Sequence, residues 1–225
     1  GVPEMLTEMY DVPSYYPRVL RKETITLIRP YFIFFGGGIR DNTYALISES
    51  MILSGFMPRF LVVCGSADVN AVRPTGPASN LSSQTRQDIL EALMRMNYTY
   101  NQTVELAIPG ANGQEVRKQI DAQLTPDAWT KYQELERQML EAAHSCSVAP
   151  LALPSFERLS KSLLKMSMLI AASQRVPSDD ILTVTYNDVV IAATYIEKWA
   201  SFTVDLILNS GKSHAQNIIT NVLNT

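Results

Sequence analysis

The sequence predicts an α/β N-terminal part over residues 1–110 and a mainly α-helical C-terminal part over residues 111–225. Three observations carry this reading. Two compact apolar runs, YFIFF at 31–35 and FLVV at 60–63, have the character of strands covered on both faces. Strand-like and helix-like stretches alternate through the first part, the pattern of an α/β unit. Beyond it the apolar spacing is helical almost throughout, with no internal repeat.

Residues 3–20 read as a short helix and then a connector rich in proline and tyrosine, because Pro13 and Pro17 prevent a helix from continuing. Residues 23–28 (ETITLI) read as a strand. The run at 31–35 is the next strand, and Gly36, Gly37 and Gly38 either turn the chain sharply or bring its backbone close to something. Residues 44–53 carry Leu46, Ile47 and Met51 at helical spacing, and Gly55 ends that helix. Residues 60–63 form a second buried strand with Arg59 on its lip, where α/β proteins place ligand-binding or inter-subunit residues. Residues 65–84 are rich in Gly, Pro, Ser and Asn and read as a loop.

A helix over 84–97 places Ile89, Leu90, Leu93 and Met94 on one side, and 103–108 (TVELAI) reads as a strand before the turn-like PGANG. The helix at 124–143 opens with Thr125 as N-cap, Pro126 at its first position and Asp127 at the positive helix end. Residues 149–154 (APLALP) read as a break. The helix at 155–173 buries Leu159, Leu163, Met166 and Ile170. A turn at 175–180 and an extended piece at 182–184 precede Thr185 and Asp188, a capping-box-like start to a helix over 186–209. Its inward line is Val189, Ala193, Ile196, Ala200, Thr203 and Ile207, and a partial helix follows at 212–225.

Composition narrows the function classes. Hydrophobic content of 46% with 18% charged residues supports a sizeable core and argues against global disorder. A net charge of −3 gives no overall basic footprint, which argues against tight unaided nucleic-acid binding. No apolar run is long enough to span a membrane, and no signal peptide is present. Cys64 and Cys146 lie far apart, so a reducing, cytoplasmic location is expected, that of the host cell if the protein is viral. The sequons at Asn80, Asn97 and Asn101 then carry no glycan. His144 beside Cys146 is too sparse for a zinc site, and no metal site is expected in this chain. The chain opens with Gly1, Val2 and Pro3 rather than methionine, so a cleaved product or an excised piece is expected.

The motifs are few. The three glycines lack the G-x-G-x-x-G spacing of a dinucleotide site. Gly211, Lys212 and Ser213 imitate the end of a phosphate-binding loop, but Leu206 stands where its first glycine belongs and a helix precedes it; Gly211 is read as a helix C-cap. Neither His144 nor His214 has a paired nucleophile or carboxylate. Trp129, Tyr132 and Trp199 lie on helices at packing spacing. Arg59 is the main candidate for contacting an anion such as a neighbouring subunit's nucleotide phosphates, since arginine stabilises transferring phosphoryl charge. Arg158 is a second candidate, with Lys161 and Lys165 extending its basic edge; a solvated helix face accounts for these three equally well.

The ordered set EMYDVPSYYPRV, an apolar strand ending in GGG, and GFMPRFLVV resembles the later half of the RecA-like or AAA+-like ATPase domain of phage and prophage primase–helicases. Met9, Tyr10 and Asp11, residues 33–37 and residues 55–61 carry the match. The C-terminal LSKSLLKMSMLIAAS and LTVTYNDVVIAATYIEKW are similar to the helical part that follows such motors. The resemblance implies a partial RecA-like sheet with flanking helices, with Gly36, Gly37 and Gly38 ending the sensor strand. It implies Arg59 as an arginine finger, Arg158 with Gly36 and Gly37 as nucleotide-binding residues, and a homo-oligomeric ring around DNA. ATP and Mg2+ would be the full-length protein's ligands, and this chain alone would bind neither. Two departures stand out: Gly38 and Ile39 replace the family's polar residue after the glycines, and the 225 residues hold neither a phosphate-binding loop nor an acidic strand end for magnesium. Those parts are expected upstream, so the chain alone would not hydrolyse ATP. The alternative expectation is a non-enzymatic protein–protein assembly module built on the helices at 125–143 and 186–209.

Overall fold

The computed structural model describes residues 2–11, 13–19, 24–28, 33–65, 83–105 and 115–211. The protein is mixed α/β, with small two-stranded sheets and a mostly helical C-terminal half. Contacts gather into two units that interleave along the chain. One unit comprises Gly1–Cys64, Glu136–Lys161 and Ile196–Thr225; the other comprises Gly65–Leu135 and Ser162–Tyr195.

The first unit opens with helix α1 (Val2–Tyr10), then strands β1 (Tyr15–Val19) and β2 (Thr24–Ile28). These pair antiparallel from Tyr15 opposite Ile28 to Val19 opposite Thr24. The proline- and tyrosine-rich connector is therefore a strand. Both strands of a two-stranded ribbon are edges, so Pro17 is accommodated without a ladder hydrogen bond. The helix expected over 44–53 is two short helices, α2 (Arg40–Leu46) and α3 (Glu49–Leu53). Ser48 divides them, adopting extended backbone and accepting the Met51 N–H on its own hydroxyl as a new N-cap. Gly55 follows α3 with φ +78°, the left-handed conformation that suits glycine at a helix end.

Neither buried strand of the sequence reading appears among the described residues. Residues 33–39 are irregular, with Ile33 78%, Phe34 63% and Phe35 98% exposed; residues 31 and 32 lie outside the described set. Met57–Arg59 is a 3-10 turn, and 60–63 follow it without regular structure, leaving Leu61 and Val63 exposed. An apolar run signals burial, but a strand also needs a neighbour to pair its amides, and no strand pairs with either run among the described residues.

The unit's core is made by Ile52, Pro58, Leu159, Thr203, Leu206 and Ile207, which enclose a small cavity of about 10 Å³ with Met57, Phe60, Val62 and Ser155. Leu159 belongs to helix α6 (Ala149–Gln174), and Thr203, Leu206 and Ile207 to helix α7 (Tyr186–Asn209). The expected break at 149–154 is the beginning of α6. Pro150 sits in the first turn, where its missing N–H costs nothing, and Pro154 is carried inside the helix.

A polar bridge joins α2 to α7. Tyr44, 3% exposed, donates its hydroxyl proton to Asp205 Oδ2 at 2.6 Å and accepts from Arg40 Nε at 3.2 Å. Arg40 Nη2 reaches the same carboxylate oxygen at 2.5 Å, and Cys64 Sγ lies 3.4 Å from the hydroxyl. Gly211, at φ +72°, donates its N–H to the Tyr44 carbonyl at 2.9 Å, so it closes α7 as a C-cap and ties that end to α2. Burial pushes the Tyr44 hydroxyl above its ordinary value of 10.0; the bonds to Asp205 and Cys64 add to this and Arg40 opposes it. The raised group contributes stability present below pH 10, which is lost as the unfolded chain's tyrosine ionises above that value. Tyr44→Phe is expected to cost about 1–2 kcal/mol at neutral pH and to flatten the decline above pH 10. Urea midpoints of both proteins from neutral to alkaline pH check this, and parallel curves would refute it.

The second unit holds helix α4 (Ser83–Tyr100), strands β3 (Thr103–Glu105) and β4 (Glu115–Arg117), which pair antiparallel, and strands β5 (Asp121–Leu124) and β6 (Ile181–Val184), which pair parallel. The loop expected at 65–84, the end of the strand at 103–108, the PGANG turn and the helix at 212–225 lie largely or wholly outside the described residues. Helix α5 (Pro126–His144) begins at the expected proline, and the Thr125 hydroxyl before it donates to the Val184 carbonyl at 3.4 Å. The unit's buried side chains include Ala128, Tyr132, Leu163, Ile170, Leu182, Val184 and Val189. Asp188 Oδ2 accepts from the Thr185 N–H at 2.7 Å, from the Thr185 hydroxyl at 2.8 Å and from Arg175 Nη2, fixing the start of α7. The apolar side of α4 is exposed rather than packed: Ile89 is 49%, Leu90 50%, Leu93 59% and Met94 62% accessible.

Candidate functional site

In the first unit, Arg59 and Arg158 converge on one carboxylate. The 3-10 turn begins after Gly55, and Pro58 within it is buried, anchoring the turn in the core. This aims Arg59 back at Gly55, whose carbonyl accepts from Arg59 Nη1 at 2.7 Å. A methyl group on Gly55 would come within 2.9 Å of Nη1, so glycine here serves both the left-handed turn and the seating of the guanidinium. Arg59 Nη2 donates to Asp11 Oδ2 at 3.1 Å, and Arg158 Nη1, from α6, donates to Asp11 Oδ1 at 3.3 Å. The Tyr10 ring lies 5.6 Å from the Arg59 guanidinium carbon and 5.9 Å from that of Arg158, within cation–π range of both.

The three charges differ in access. Arg59 is 10% exposed, Arg158 21% and Asp11 55%, so the carboxylate is the most solvent-exposed of the three. Burial raises the Asp11 pKa, but hydrogen bonds and charge from Arg59 and Arg158 outweigh that and hold it below the ordinary 3.8. Among the described residues, buried Arg59 Nε has no hydrogen-bond partner. Arg59 and Tyr10 also line a cavity of about 410 Å³ whose walls include Leu6, Phe34, Phe35, Phe56 and Phe60. Phe60 meets Phe34 and Phe56 edge-on at centroid distances of 6.1 and 5.1 Å. Arg59 thus stands at the edge of an aromatic-walled cavity, and Arg158 is joined to it through the shared Asp11 carboxylate.

Of the sequence-predicted site residues, the structure thus brings Arg59 and Arg158 together. Gly36 and Gly37 are exposed and form no part of the arginine cluster. A methyl group on Gly36 would come within 2.9 Å of the Phe34 ring, and one on Gly37 would meet nothing within 4 Å among the described residues. Lys161, Lys165 and His144 are exposed, and His214 lies outside the described residues. Trp129 and Tyr132 stack at 5.5 Å, with Tyr132 buried and Trp129 half-exposed. Tyr10 and Asp11 are the site residues that reasoning from individual residues missed. Their one signal was their place in the MYD segment of the resemblance, because the contact from Asp11 to Arg158 spans 147 positions.

Comparison with protein-family models, with curated proteins and with solved structures finds no match.

Among the described residues no three His, Cys, Asp or Glu side chains cluster so that they could hold a metal ion. No helix among the described residues is long and apolar enough to cross a membrane.

Proposed function

We propose that this chain is the arginine-bearing, subunit-contacting part of a ring-forming replicative helicase or primase ATPase of a virus or mobile element. Arg59 would act on the nucleotide of a neighbouring subunit, with Arg158 beside it. The observation that carries the reading is the convergence of Arg59 and Arg158, 99 positions apart (158 minus 59), on a single anionic group. Guanidinium forks match phosphate oxygens in the same way that they match a carboxylate. The phosphate-binding loop and the acidic residue for magnesium would come from sequence other than these 225 residues. A sheet from that sequence would cover the exposed Ile33, Phe34, Phe35, Leu61 and Val63, completing a RecA-like domain. What Arg59 supplies is positive charge where charge builds on the transferred phosphoryl group, and it needs no proton transfer to do so. Turnover and nucleotide binding measured side by side for Arg59→Ala in the ATPase test this. Lost turnover with binding retained supports it, and retained turnover overturns it.

The exposed side of α4 favours a second reading, a non-enzymatic assembly module. Ile89, Leu90, Leu93 and Met94 make an apolar stripe suited to a second copy of the chain. Leu93→Asp is expected to dissociate such an assembly while leaving the monomer folded. Sedimentation velocity reads the outcome, and an unchanged sedimentation coefficient with an oligomeric parent would refute it.

A further inference from the structure

We propose that Asp11 is a built-in occupant of the arginine pair: its carboxylate holds the place of a phosphate oxygen and yields it when an oligophosphate arrives. The inference rests on the reading of Arg59 and Arg158 as a phosphate-contacting pair, and adds a regulation of that site. Three observations support it. Asp11 spreads its two oxygens over the two arginines, Oδ2 to Arg59 and Oδ1 to Arg158, as a phosphate group would spread two of its oxygens. Asp11 is 55% exposed while the arginines are 10% and 21% exposed, so it can swing into solvent without opening the core. The arginines have other anchors that outlast its departure: the Gly55 carbonyl holds Arg59, and the Tyr10 ring lies against both guanidinium groups.

The carboxylate side of both ion pairs is open to solvent and to screening by salt, so a multiply charged anion has the advantage over a single carboxylate. Asp11 lies immediately after α1, and its own N–H makes a long 3.3 Å bond to the Glu8 carbonyl. Releasing its side chain therefore demands no rearrangement of a sheet or a long helix. In the unliganded chain the latch offsets one of the pair's two positive charges; displacement by phosphate presents both.

The test is binding of sodium tripolyphosphate to the full 225-residue chain by titration calorimetry at low salt. The variants are Asp11→Asn and Asp11→Ser, each alone and combined with Arg59→Ala, with circular dichroism confirming the fold. Opening the latch is expected to tighten binding about five- to tenfold, and Arg59→Ala is expected to remove the gain. Equal affinity in the parent and both Asp11 variants, lost on Arg59→Ala, would overturn the latch while leaving the arginine pair as a phosphate site. Absence of binding in every variant would overturn the latch alone, because the proposed function places the nucleotide on a neighbouring subunit and is tested separately by the turnover of Arg59→Ala.

Discussion

In the proposed ATPase, Arg59→Ala is expected to lower ATP turnover by about 10³–10⁵-fold while leaving nucleotide binding, which the neighbour's phosphate loop supplies, nearly unchanged. An arginine finger acts on charge that exists only as the phosphoryl group transfers, so its loss falls on kcat rather than on ground-state affinity. Arg59→Lys should recover little, because an ammonium group lacks the planar fork that spans two oxygens. The structural share of Arg59 can be separated from this. Its bonds go to the Gly55 carbonyl and to an Asp11 that is 55% exposed, a setting worth on the order of 1 kcal/mol. Were Arg59 only structural, turnover and nucleotide binding would fall together, in proportion to the fraction unfolded. Parallel kinetic and binding measurements on the same preparation tell the two apart.

Asp188→Ala is expected to destabilise the second unit by about 3–5 kcal/mol. Asp188 is 1% exposed, and its Oδ2 serves three donors: the Thr185 N–H, the Thr185 hydroxyl and Arg175 Nη2. Alanine strands a backbone donor at the start of α7 and leaves Arg175 without its buried partner. The lost negative charge had also faced the positive end of the helix. Arg175 keeps its longer bond from Nε to the Thr183 carbonyl, at 3.3 Å. Asp188→Asn, which keeps the shape and one acceptor, should fall between the parent and alanine. Urea unfolding measures the series, and a loss below about 1 kcal/mol for alanine would show that the cap is not the anchor described.

That cap was legible because its signals are local. Thr185 and Asp188 stand three positions apart before an apolar line at helical spacing, and Val189, Ile196, Thr203 and Ile207 of that line are buried as expected. Helix α5, the later part of α6 and strand β6 were readable for the same reason. Strand β1 was not, since Pro17 argues against a strand except at an edge, and edge status depends on what pairs with it. Nor was the irregular state of 33–35 and 60–63, because apolar character specifies burial but not a pairing partner. Pro154 was read as a break, yet α6 runs through it. At the site, Arg59 and Arg158 stood out by residue type and position, but nothing local to Asp11 announces that it joins them. That contact exists only once α1, the 3-10 turn and α6 have packed.

The most direct test of the central claim, that Arg59 serves a neighbour's nucleotide, is a mixing experiment on the assembled ATPase. Subunits carrying Arg59→Ala are combined with subunits whose phosphate-binding lysine is replaced, and ATP turnover is followed across mixing ratios. Action across the subunit boundary predicts turnover in the mixture where each parent alone has almost none, because some interfaces then pair an intact Arg59 with an intact phosphate loop. Mixtures as inactive as both parents, or Arg59→Ala subunits fully active alone, would contradict the account.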